Sequence, residues 1–225
     1  MTDATPIGTS SGILHVLMDI GPNVSEEEFH QWYNNEHGPS RMAIEGFKCG
    51  VRYEALDGLG PKWVATYEID NLTVLQTEPY LSIRNNSSPE EADILKRISL
   101  IDRKIYADVL HRGQFQPVIG TILVAVRLLI PSANAKELEE WYQKEHVDML
   151  ADIPGWLRSR LFKELSSESS KTDLVQYMAL HEYHSDNGLG GPKHVAASST
   201  DWRMRIMSLA IGGPIRRDFR LYHIF

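Results

Sequence analysis

At 225 residues the chain is long enough for one large domain or two small ones, and 42% hydrophobic and 24% charged residues are ordinary for a globular protein. A formal net charge of −7 argues against a nucleic-acid surface, which needs a basic patch. No apolar run approaches the roughly 20 residues of a membrane span. The single cysteine, Cys49, cannot form an internal disulfide, so a reducing, cytoplasmic compartment is the simplest reading.

Residues 1–11 are small and polar and lack the charged start and apolar stretch of a signal peptide, so they read as a disordered lead. Residues 12–20 are rich in branched and apolar side chains and predict a strand. Gly21-Pro22-Asn23 breaks it, and Ser25 with Glu28 forms a capping box for a helix. That helix is expected to run to about Glu36 and stop at Gly38-Pro39. Residues 47–54 and 62–69 predict two strands joined by Asp57-Gly58-Leu59-Gly60-Pro61. A helical region over 72–84 follows. Ser88-Pro89-Glu90-Glu91 starts another short helix with proline at its first position, and 103–110 predicts a strand.

The same order returns after a short connection at 111–117. Strands are expected at 120–130, 157–164, 174–183 and 217–225, with helices at 135–145 and 200–209. A motif marks the recurrence: Trp32-Tyr33-Asn34-Asn35-Glu36-His37 reappears as Trp141-Tyr142-Gln143-Lys144-Glu145-His146, 109 residues later. Ile44-Glu45-Gly46-Phe47 is echoed by Ile153-Pro154-Gly155-Trp156, and Tyr67-Glu68-Ile69 by His181-Glu182-Tyr183. An internal repeat of this length is a domain rather than a solenoid unit. Strand, helix, strand, strand, helix, strand is the ferredoxin-like arrangement, with helices on one face of a four-stranded sheet. The bare face must be buried. The expectation is therefore an α+β chain of two tandem ferredoxin-like repeats, 12–112 and 118–225, packing sheet against sheet as an intrachain dimeric α/β barrel.

The run Phe29-His30-Gln31-Trp32-Tyr33-Asn34-Asn35-Glu36-His37-Gly38-Pro39 resembles the first-helix signature of the EthD-like branch of the dimeric α/β-barrel superfamily. Glu78-Pro79-Tyr80-Leu81-Ser82-Ile83-Arg84, Tyr177-Met178-Ala179-Leu180-His181-Glu182-Tyr183 and Asn187-Gly188-Leu189-Gly190-Gly191-Pro192 are similar to the same branch, in its fungal tandem members. The resemblance covers nearly the whole chain from about Gly12. It implies the fold more than the chemistry, because the superfamily holds cofactor-free monooxygenases, polyketide cyclases, lactone isomerases, dehalogenating enzymes, aldoxime dehydratases and haem peroxidases. Fungal relatives often resemble accessory enzymes of aromatic polyketide pathways in secondary metabolism. The chain departs from its relatives mainly at strand positions such as His15 and Arg127.

On a helix, residues four apart share a face, which sets Tyr33 with His37 and Tyr142 with His146. A histidine beside phenol and carboxylate groups can act as a general acid or base. The same histidine at a helix end can instead be structural, held by the helix dipole. Gly38-Pro39 should end the first helix sharply and turn His37 toward an opening. Val147-Asp148-Met149-Leu150 should continue the second helix and cover His146. The expected catalytic set is therefore His37 with Tyr33, assisted by His15.

His15 and Arg127 are polar at positions where the other half carries Val124 and Met18, which is how one half would specialise. Arg127 can bind a carboxylate or enolate or reach solvent as a strand-end charge. Tyr67, His181, Trp32 and His146 are candidates to line the substrate cavity, with satisfied core positions as the alternative. Arg52, Arg158 and Arg160 read as solvated strand charges or cross-strand ion pairs.

No metal site is expected. His181 and His184 point to opposite faces of a strand, and neither HExxH nor a cysteine pair exists. No GxGxxG, P-loop or GxSxG elbow is present. The reading is an enzyme without cofactor, acting on a small hydrophobic or aromatic, polyketide-like substrate by acid/base dehydration, decarboxylation or cyclisation. A cofactor-free monooxygenase and a non-catalytic small-molecule-binding or stress-related barrel are the alternatives. No nucleic-acid or membrane partner is expected, and a homodimer is left open.

Overall fold

The computed structural model describes residues 8–165 and 173–225; of the expected lead over 1–11, residues 1–7 lie outside the described residues. The chain divides into two units. Among the described residues, the first unit is 8–105 with Tyr222–Phe225, and the second is Tyr106–Leu221.

The first unit begins with β1 (Gly12–Asp19), α1 (Glu26–Trp32), a five-residue π-helical turn (Tyr33–His37) and α2 (Gly38–Met42). The hairpin β2 (Phe47–Ala55) and β3 (Trp63–Ile69) follows, then a 3-10 turn (Leu72–Gln76), α3 (Glu78–Asn85), α4 (Pro89–Arg97) and β4 (Leu100–Gly113). The second unit runs β5 (Ile122–Pro131), a 3-10 turn (Ser132–Asn134), α5 (Ala135–Trp141), a second π turn (Tyr142–His146) and α6 (Val147–Ala151). It ends with β6 (Trp156–Glu164), β7 (Leu174–Tyr183), α7 (Pro192–Ala197), α8 (Asp201–Leu209) and β8 (Ile215–Ile224). The strands are hydrogen-bonded in the closed order β1-β3-β2-β8-β5-β7-β6-β4, an eight-stranded barrel topology in an α+β fold. The hairpin pairs β2–β3 and β6–β7 are antiparallel, as are β1–β3 and β5–β7. Among the described residues no helix is long and apolar enough to cross a membrane.

Local chemistry explains the helix starts. Ser25 Oγ accepts the Glu28 backbone N–H at 3.1 Å, and Glu26, Glu27 and Glu28 favour the positive helix end. Ser88 caps α4 through the Glu91 N–H at 3.0 Å, with Pro89 where no N–H is needed. Thr200 caps α8 through the Arg203 N–H at 3.1 Å. The apolar face of α1 places Phe29 and Trp32 in the core, and the corresponding positions of α5 place Leu138 and Trp141 there.

Two expectations are corrected. The first helix does not stop at Gly38-Pro39 but continues as α2. The π turn makes this tolerable: Gly38 N–H bonds to the Tyr33 carbonyl, five residues back, so proline falls where the ladder is already interrupted. Gly38 is also where the Phe225 ring packs so closely that a Cβ has no room. The single helix expected over 72–84 is a 3-10 turn followed by α3, because Thr77 is extended and begins a new helix ahead of Pro79.

Candidate functional site

Each unit carries a cavity beside its π turn. The cavity at His37, of about 230 Å³, belongs to the first unit. Leu14, Val16 and Met18 of β1 form one wall. Trp32, Tyr33 and His37 come from the helix and its π turn, and Tyr67 comes from β3. Arg41, Tyr80, Arg84, Glu91 and Arg103 supply polar groups from α2, α3, α4 and β4. The π turn, which widens the helix by one residue, brings the His37 ring to 4.6 Å from the Tyr33 ring and 4.7 Å from Trp32. Such turns are frequent at functional sites.

His37 Nδ1 lies 2.6 Å from Glu91 Oε1. Arg41 Nη2 donates to the same oxygen at 3.3 Å, and Arg41 Nη1 holds the His37 carbonyl at 3.0 Å. Glu91 is buried, yet the neighbouring His37 and Arg41 keep its carboxyl below the ordinary range in spite of desolvation. Burial pushes His37 down to about 4, against the raising effect of the Glu91 hydrogen bond. At neutral pH the ring is therefore neutral. An ionised carboxylate at Nδ1 fixes the proton there and leaves Nε2 as the bare nitrogen. Among the described residues nothing hydrogen-bonds to His37 Nε2.

The Tyr67 hydroxyl donates to the Tyr33 hydroxyl at 3.1 Å. Burial raises both phenols, so both stay protonated. Arg103 Nη2 donates to the Tyr80 hydroxyl at 2.7 Å. The cavity thus joins a neutral base, a phenol donor and three guanidinium groups to one carboxylate and an apolar wall.

Behind Tyr33 lies a buried guanidinium. Arg52 packs over Phe29, Tyr33, Trp63 and Tyr222 at 4.7–5.5 Å and donates to His30 Nδ1 at 2.5 Å. Burial and then the Arg52 charge lower His30 to about 4. Arg52 is a cage residue, not the solvated strand charge the sequence suggested. Arg158 and Arg160 do form the expected cross-strand ion pair, with Glu182 at 2.8 and 2.7 Å, but it is fully buried.

The second unit's cavity is about 100 Å³ and is lined by Tyr142, His146, His181, His194, Arg203 and Arg216 among others. His146 stacks on Trp141 at 4.2 Å, and its buried Nδ1 has no partner. His181 Nδ1 is 2.9 Å from Ser159 Oγ, and burial lowers its ring to about 4.

The structure brings His37, Tyr33, Trp32 and Tyr67 together in the first cavity, and His146 and His181 in the second. It does not bring His15 there. Leu14, Val16 and Met18 face the cavity, so alternation turns His15, buried and paired across from Thr66, to the other side of β1. Arg127 fails for the same reason, since Val124 and Val126 line the second cavity. The contrast expected between a sharp stop after His37 and a continuing helix after His146 is also absent, because both helices continue.

Glu91 and Arg41 were missed as site residues. A weak signal existed: Glu91 shares a helical face with Ile94 and Leu95, so a carboxylate sits in the apolar phase of α4. Its distance of 54 residues from His37 hid the pairing. Among the described residues no three metal-binding side chains cluster.

No family model matches the chain, and no curated protein matches it. Solved structures do. One is an anthrone oxidase-like protein, 11% identical, with TM-score 0.65 over 98% of this chain and 96% of that one. A protein named "putative monooxygenase" from Lactobacillus acidophilus NCFM is 12% identical, with TM-score 0.62 over 96% and 95%. Another of that name, from Fusobacterium nucleatum, is 10% identical, with TM-score 0.60 over 96% and 94%. At this identity the likeness is one of fold alone.

Proposed function

We propose that the first unit's cavity is the active site of a small-molecule enzyme, working by acid/base chemistry without a cofactor on an aromatic or polyketide-like substrate. The observation that carries this reading is the contact of His37 Nδ1 with Glu91 inside the cavity, which leaves Nε2 as a positioned base. A substrate with an acidic C–H or phenol O–H gives its proton to Nε2. Glu91 offsets the imidazolium that forms, and Arg41 holds Glu91 in place. The Tyr33 hydroxyl already accepts from Tyr67, so its own proton is free to meet the developing enolate oxygen. Arg84 and Arg103 add positive charge to the same cavity. The enolate can then expel a β-hydroxyl, which leaves as water with the proton returned from His37, or attack a carbonyl to close a ring. From a β-keto acid, loss of carbon dioxide forms the same enolate directly, and His37 takes no proton in that step. On this reading the two units are tandem EthD-like copies, supported by the shared element order and the two π turns that end in histidine.

A second outcome shares the same base. An electron-rich enolate can reduce oxygen directly, which is favoured by the aromatic lining and by the monooxygenase and anthrone oxidase-like names of the fold neighbours. The test is conversion of a panel of anthrones and enolisable phenols, followed by mass spectrometry and an oxygen electrode, for the wild type and His37→Gln. Product formed in air and under nitrogen alike supports the first outcome, and stoichiometric oxygen uptake supports the second. Binding without conversion, or full turnover by His37→Gln, refutes the assignment.

A further inference from the structure

Comparing the capped helices α4 and α8 exposes a reversal of charge. Glu91 is the third residue after its capping Ser88, and Arg203 is the third after its capping Thr200. In the first unit the histidine of the π turn meets a carboxylate at that place. In the second unit the residue at that place is Arg203, which lines the same cavity as His146 and whose charge lowers the ring's basicity. His146 is 8% exposed, and its Nδ1, the atom that in His37 touches Glu91, is buried without a partner.

The charged side chains among this cavity's described lining, Arg203 and Arg216, are both cationic. His181, His194 and Arg216 also line it, and among the described residues no acidic side chain does. The acidic groups closest in the chain already have partners, and one of them balances the cavity's own Arg216, which leaves Arg203 as the unpaired cation among the described lining residues. Glu145 accepts from Trp141 Nε1 at 3.0 Å and Thr200 Oγ1 at 2.7 Å, and Asp218 pairs with Arg216 at 2.8 Å. Glu182 is held by Arg158 and Arg160. Arg203 Nη1 donates to the Ser198 carbonyl at 2.8 Å, a neutral acceptor that leaves its charge unbalanced. The other wall is apolar, from Val124, Val126 and Leu150.

We infer that the second unit's cavity at His146 is a separate binding site for a short-chain carboxylate, which serves His146 as Glu91 serves His37. The ligand oxygen accepts from His146 Nδ1–H and faces Arg203, and its hydrocarbon body lies on the apolar wall. The cavity's about 100 Å³ selects a small ligand. The inference does not depend on the first cavity being catalytic. Neutral histidines suit this role, because burial first and then His181 and Arg203 hold His146 well below its ordinary value, and an unprotonated ring still donates one N–H.

The experiment is calorimetric titration of the full chain with butyrate, its neutral analogue butyramide, and inorganic phosphate. Butyrate is expected to bind, butyramide at least tenfold more weakly, and phosphate more weakly than butyrate. Arg203→Gln should weaken butyrate binding at least tenfold, and His146→Phe likewise, while His37→Gln binds as the wild type does. Should His146→Phe not fold, the ¹⁵N shift of His146 Nδ1 on adding butyrate to the wild type gives the same answer. Unchanged butyrate binding by Arg203→Gln, equal binding of butyramide, or loss of binding in His37→Gln overturns the site. Phosphate binding more tightly than butyrate overturns it also, by showing a general anion patch.

Discussion

The hydroxyls of Tyr33 and Tyr67 lie 3.1 Å apart, with Tyr67 as donor. The direction of that bond decides what each phenol can do. Tyr67 spends its proton on Tyr33, so Tyr33 has a proton to give and Tyr67 does not. Tyr33→Phe should lower kcat by about 100-fold, the scale of losing one oxyanion donor. Tyr67→Phe removes only an orienting hydrogen bond and should lower it by about fivefold, the scale of about 1 kcal/mol. Steady-state kinetics on a converted substrate check the ranking, and a larger effect from Tyr67→Phe would reverse the assigned roles.

Glu91→Gln keeps the shape of the side chain and removes its charge. Turnover should fall by about 100-fold through kcat, since imidazolium formation at His37 loses its counter-charge. Stability should fall too, by about 3 kcal/mol, because Arg41 remains buried without its carboxylate. For the same reason His37→Ala is expected to lower the melting temperature, as it unpairs a buried carboxylate. A denaturation curve alongside the kinetics separates the two effects.

Arg52 makes the opposite prediction. Its buried Nε and Nη1 have no partner, and no carboxylate pairs with it among the described residues. In the second unit the same register position holds Leu161, opposite Ala179 as Arg52 is opposite Ala65. Replacing a buried charge with a hydrophobe is often neutral or stabilising. Arg52→Leu should leave the melting temperature unchanged or raise stability by about 1 kcal/mol. A marked fall would show that the aromatic cage over the guanidinium outweighs its desolvation.

Acid should destabilise the fold in a defined window. His30, His37 and His181 each have folded values near 4 against 6.5 when unfolded. Between those values the unfolded chain binds more protons than the folded one, so stability rises with pH there. The melting temperature should therefore fall steadily from pH 6.5 to pH 4, ahead of any loss from carboxylate protonation. A melting temperature flat over that range would contradict the buried, neutral state of these rings.

The fold was legible because its signals are local. Ser25 and Ser88 cap helices as their spacing implies, and strand alternation with the Trp-Tyr…His motif placed the elements. The site was legible only in part. His37 and Tyr33 lie on one helix, so their contact follows from spacing, but Glu91 meets His37 across 54 residues, which no local pattern encodes. His15 misled because polarity in a strand does not reveal which face the side chain takes. Arg52 misled because a guanidinium surrounded by aromatic rings can be buried without a carboxylate. The helix end at Gly38-Pro39 misled because a π turn absorbs the missing proline N–H.

The central claim is that His37 is a neutral base whose proton sits on Nδ1 toward Glu91 and whose Nε2 is bare. Nitrogen-15 NMR of the histidine rings, titrated from pH 8 to pH 3.5 and assigned with His37→Gln, measures this directly. The account predicts an Nδ1–H tautomer for His37 down to pH 5, with protonation near pH 4. An Nε2–H tautomer, or a ring already cationic at pH 7, would contradict it.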